Sequence, residues 1–147
     1  MSGPRFDPPP GWVLLDVPGH ADSVALMAAA PQRPQPSFRP NLVLAYGTEA
    51  PDFADVDEFA EAAIEDQAAT LSDFLLLDRE RTELAGLPCI RTLAHYDADS
   101  WSVVADQWRL LGPSGGIELT ASCRALEFAE LAPIVAASAA TLRVESK

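Results

Sequence analysis

Four strand-like runs follow one another in the second half of the chain: Phe74 to Leu84, Leu87 to Tyr96, Trp101 to Leu111 and Ile117 to Leu126. Only Ala85-Gly86, Asp97-Ala98-Asp99-Ser100 and Gly112-Pro113-Ser114-Gly115-Gly116 separate them. Links this short join antiparallel neighbours, because a parallel crossover needs a dozen or more residues. An antiparallel sheet is therefore the frame. Three earlier runs, Trp12 to Val17, Ser23 to Ala29 and Asn41 to Tyr46, bring it to six or seven strands. Pro18-Gly19-His20 reads as a turn, and the four prolines between Pro31 and Pro40 fit an exposed connection, not a central strand.

Two helices complete an α+β fold. The first begins after Pro51-Asp52, capped by Asp55 or Asp52, with Val56, Phe59, Ala60, Ala63, Ile64 and Leu71 recurring at steps of three and four. Asp57, Glu58, Glu61, Glu65 and Asp66 fall mainly on its other side. The second runs from about Glu127 to Leu142, with Pro133 tolerable if the regular helix starts near it. A length of 147 residues suits one domain with one real core. The expected organisation is a flexible, Pro-rich lead-in over residues 1–10 and a single domain over residues 11–147.

Alternation sorts the last three strands by face if Asp97 pairs with Ser100 and Leu111 with Gly116. One face then collects Leu87, Cys89, Leu93, Val104, Trp108, Leu110, Ile117, Leu119 and Cys123, with Arg91 opposite Asp106. That face is a core, and the helices are expected to cover it. The other collects Thr92, Gln107, Arg109, Glu118, Thr120, Ser122 and Arg124 together with Ile90, Tyr96, Trp101 and Val103. Its apolar members are too many for a solvated face, so either the amino-terminal segment or a helix covers it, or a partner does. On the second alternative Ile90, Tyr96, Trp101, Val103, Arg109 and Arg124 are the candidate binding residues, of the aromatic and Arg types that anchor interfaces.

Catalytic chemistry has little to work with. The histidines are His20, in the turn, and His95, near a strand end. His95, Asp97, Asp99 and Asp106 match no ligand loop, the Gly112–Gly116 glycines join two strands and not a strand to a helix, and Lys147 is the only lysine. No catalytic residue, metal ligand or cofactor is assigned. The formal charge of -12, with ten acidic and no basic residues from Pro40 to Asp78, disfavours nucleic acid and anionic membranes as partners. Cys89 and Cys123 sit in strand-like runs without close-spaced Cys or His partners and are expected as buried free thiols, with a disulfide or a metal site the alternatives. Without a signal-like opening or a membrane-length apolar run, the expected location is cytoplasmic.

Several phrases carry a resemblance. Asp73 to Asp78, Ala85 to Cys89, Gly112 to Gly116 and Phe128 to Ser138, preceded by PPPGWVLLDVPG and FRPNLVLAYGT, together resemble the PsbP-like α/β/α sandwich, in particular its DcrB-type and actinobacterial LpqN-type proteins. The phrases are structural, and none is a catalytic signature. The resemblance implies a largely non-enzymatic role, partner binding through a curved sheet face and its edges. The functional expectation is a protein-binding adaptor or chaperone-like module, with a homodimer among its forms. Two alternatives stand beside it: a carrier or sensor of a small apolar ligand lined by Trp12, Trp108 and Phe59, and an enzyme of unrecognised type.

Overall fold

The computed structural model describes residues 3–17, 24–47, 53–113 and 115–144. The turn expected at Pro18-Gly19-His20, the alternative cap Asp52 and Ser114 of the Gly-rich tip lie outside the described residues. In order come β1 (Val13–Leu15), β2 (Val24–Ala29), β3 (Asn41–Tyr46), α1 (Val56–Thr70), β4 (Ser72–Leu84), β5 (Leu87–Ala98), β6 (Trp101–Gly112), β7 (Gly115–Arg124) and, after a 3-10 turn at Ala125–Glu127, α2 (Phe128–Ala139). The strands form one antiparallel sheet in the order β1-β2-β3-β7-β6-β5-β4. A seven-stranded sheet carrying two helices is the expected α+β architecture.

Turn chemistry sets the hairpins. Ala85 and Gly86 both adopt positive φ, 55° and 78°, the double left-handed conformation that twists with the strands it joins. Leu111 pairs with Gly116 and Arg109 with Glu118, as alternation predicts. The preceding hairpin turns one residue later than expected: Asp97 pairs with Ser102, not Ser100, because β5 continues to Ala98 and the two-residue turn is Asp99-Ser100. An even slip leaves every side chain on its expected face. It also makes Arg91 and Asp106 diagonal neighbours, not opposite ones, and they still pair through two hydrogen bonds of 2.9 and 2.7 Å.

The helices divide the faces instead of sharing one, which corrects the expectation that both cover the Trp108 face. That face holds the main core, where Leu42, Leu44, Cys89, Trp108, Leu110, Ile117, Leu119 and Ala121 pack with Val135, Ala139 and Leu142 from α2 and its exit. The opposite face takes α1, whose Val56 and Ala60 pack on Ile90 with Leu111 beside them. The topology supplies the reason. β3 and β4 point the same way but lie four positions apart, so the chain must run back along the sheet between them. α1 is that return, and it docks on β4, β5 and β6.

Asp55 caps α1, accepting a hydrogen bond from the Glu58 amide at 2.9 Å while Glu58 accepts one from the Ala54 amide at 2.9 Å. From Arg5 onward the lead-in makes contact with the domain. Phe6 lies in the main core, and Arg5 and Arg143 exchange backbone hydrogen bonds of 2.9 and 2.8 Å. An apolar ring at position 6 has a place to be buried, and that outweighs the chain entropy the neighbouring prolines already reduce. Pro133 stands at the sixth residue of α2, not at its start.

Candidate binding surface

The register lays the α1 face out as rows across the sheet. Arg124, Val103 and Tyr96 form one row, with Trp101 beyond it. Asn41, Ser122, Ala105 and Ala94 form the next, then Val43, Thr120, Gln107 and Thr92, then Ala45, Glu118, Arg109 and Ile90. Of the six sequence-predicted residues, α1 and its surroundings bury Ile90, Val103 and Arg109, so these three cannot meet a partner from solvent. Tyr96, Trp101 and Arg124 remain half-exposed at the end of the face.

Arg109 is fully buried, and each group of its guanidinium has a partner. Nε donates to Glu118 at 2.6 Å, Nη1 to the Thr92 hydroxyl at 3.0 Å and Nη2 to Gln67 of α1 at 3.2 Å. Gln67 and Thr120 are both bonded to Gln107, each at 3.1 Å. The polar residues of this face are therefore the seat of α1, a satisfied network that fixes where the helix lands.

Arg124 lies over the Trp101 ring, 5.7 Å from its centroid, and reaches Glu127 at 3.4 Å. Glu127 also pairs with Arg33 at 2.6 Å. Partial burial pushes the Glu127 carboxyl up, but Arg33 and then Arg124 outweigh that and hold it below its ordinary range. This chain of charges ties the Pro31–Pro40 connection to the end of β7.

Beyond the reach of α1 the same face is bare among the described residues. Leu15, Met27, Val43, Ala45 and Thr120 are half-buried there, and none of the four apolar ones packs into either core cluster. At one end Phe53 and Phe59 stack at 5.3 Å beside a hollow of ≈ 250 Å³ floored by Ala45 and Gly116. At the other end stand Trp101 and Arg124. The bare half is thus a trough along β3 and β7 with aromatic ends. Sequence reasoning missed Met27 and Val43, because the pairing of β3 with β7, Asn41 opposite Ser122, that places both on this face is a long-range contact no local pattern carries.

Other expected constellations do not assemble. Trp12 and Trp108 belong to the α2 face and Phe59 to α1, so the three cannot line one cavity. The space beside Trp12 measures ≈ 10 Å³, about one water. His95 Nε2 lies 2.5 Å from the Ser102 hydroxyl and 3.9 Å from Asp97. Both contacts fall on one ring nitrogen, whereas a Ser-His-Asp relay needs the acid on the other. Among the described residues no group of three or more His, Cys, Asp or Glu side chains is placed to hold a metal ion, and no helix is long and apolar enough to cross a membrane.

No family model matches the sequence, nor does any curated protein. Solved structures do. LpqN of Mycobacterium tuberculosis, described as involved in cell envelope biogenesis, is similar at a TM-score of 0.76 and 18% identity over 99% of this chain and 86% of that one. PA94 of Pseudomonas aeruginosa, a protein of unknown function, follows at 0.73 and 12% over 92% and 99%. The cyanobacterial PsbP of Synechocystis sp. PCC 6803 gives 0.63 and 13% over 99% and 94%. None of these descriptions names a reaction, and all three chains are matched over most of their length. The chain has the PsbP-like fold, with an LpqN-type protein among its structural relatives.

Proposed function

We propose that the protein is a non-enzymatic binding module that seats an extended segment of a protein partner in the bare trough along β3 and β7. One observation carries the reading: half of a sheet face, with Met27, Val43 and Ala45 half-buried on it, is left without a helix among the described residues, beside the Trp101–Arg124 stack. Six residues of β3 make a trough roughly 20 Å long, enough for a segment of similar length. Aromatic and Arg side chains at its ends are the types that supply anchors. Location in a reducing compartment such as the cytoplasm is part of the same proposal, supported by two buried thiols that are not joined.

The test is recovery of partners from the native host with the wild-type chain and with Val43→Arg and Trp101→Ala. A stoichiometric partner lost with both variants, while their thermal unfolding stays cooperative, supports the reading. Equal recovery by all three chains overturns it. A concentration-dependent dimer abolished by Val43→Arg would assign the trough to a second copy.

A further inference from the structure

On the opposite face α2 leaves β4 and β5 open. There the register brings Asp78, Leu93 and Asp106 into one row and Glu80 and Arg91 into the next. With Phe128, the first residue of α2, these line a hollow of ≈ 270 Å³. Its floor is a preorganised charge pair. Asp106, 2% exposed, accepts from Nε and Nη2 of Arg91, whose guanidinium lies 4.9 Å above the Trp108 ring centroid. Stability alone does not call for such a pair, since apolar replacements of buried ion pairs are often neutral or stabilising.

The charges decide what fits. Asp106 cancels Arg91, which would otherwise repel a cation. Glu80 stands 3.8 Å from Arg91 and is more than half exposed, and Asp78 lines the same hollow, so the site carries an excess of negative charge. Leu93 and Phe128 add an aliphatic and an aromatic wall. Pockets for drug-sized ligands run from about 300 Å³ upward, so this hollow admits a short stem and not a lipid chain.

We propose that the hollow binds an organic cation, an ammonium or guanidinium on a short aliphatic stem. Asp78 and Glu80 meet the charge, Phe128 faces it as an aromatic surface, and Leu93 packs on the stem. The same chemistry is offered by a free amine and by the Arg or Lys side chain of a protein, and the site lies on the other face from the trough, so it stands apart from that reading.

Agmatine and an end-blocked arginyl tripeptide are titrated into the full chain, following the resonances of Leu93 and Phe128 by NMR, with inorganic phosphate as the anionic control. Saturable shifts with either cation, weakened roughly tenfold in Asp78→Asn/Glu80→Gln, are the expected result, since each exposed pair contributes a modest share. Saturation by agmatine but not by the tripeptide assigns a free amine; saturation by the tripeptide, with or without agmatine, assigns a protein side chain. Phe128→Ala serves as a second variant and weakens both probes. No saturable shift at millimolar agmatine, unchanged binding in the double variant, or tighter binding of phosphate would each overturn the proposal. Val43→Arg, on the far face, leaves the agmatine titration unchanged, so failure of the hollow and failure of the trough are read separately.

Discussion

Arg109 shows what a charge inside this sheet does. Its partners Glu118, Thr92 and Gln67 come from two strands and a helix, so truncation strands polar groups in three elements at once. Arg109→Ala should cost about 3 kcal/mol in urea unfolding, toward the lower end for a broken buried pair because Glu118 is partly solvated. Arg109→Met, which keeps the volume, should cost less. The two thiols act through pH. Burial pushes Cys89 and Cys123 up to about 11, from an ordinary value of 9.0. Their native forms thus keep protons that the unfolded chain gives up, and the stability they contribute is complete below pH 9 and lost as pH rises through 11. Unfolding midpoints should fall over that window, and fall less in Cys89→Ala/Cys123→Ala.

At the scale of elements, caps and turns give the sharpest expectations. Asp55→Ala removes the acceptor for the Glu58 amide and should cost about 1 kcal/mol in thermal or urea unfolding. Ala85 holds a left-handed conformation that a side chain with Cβ resists, so Ala85→Gly should stabilise by about 1 kcal/mol in the same measurement. Such local features are legible in the sequence: the run Asn41 to Tyr46 marks β3 to the residue, Asp55 is one of two caps the pattern offers, and the Arg109–Glu118 pairing follows from alternation. Alternation also kept faces right through the slipped hairpin at Asp99-Ser100. What local pattern could not carry was the assignment of helices to faces. That depends on β4 lying at the far edge from β3, a long-range fact absent from any window of residues. Consequently Ile90 and Arg109 read as candidate contacts when they are the seat of α1, and Val103 reads as one when it is fully buried.

The whole molecule is governed by its charge. With 22 acidic against 10 basic residues, mutual repulsion favours expansion, and the surface pairs Arg79–Glu61 and Arg81–Asp57 offset little of it. Raising salt from low to physiological strength should therefore raise the melting temperature, as screening relieves more repulsion than it weakens attraction. A drop on adding salt would mean that the ion pairs dominate. The two backbone hydrogen bonds between Arg5 and Arg143 matter differently. If the molecule is held by handles beyond these two positions and drawn apart, the load falls first on that single rung, before any strand of the sheet is sheared. A small early yield in the force trace, followed by a much larger one, would be the mechanical signature of this stitch.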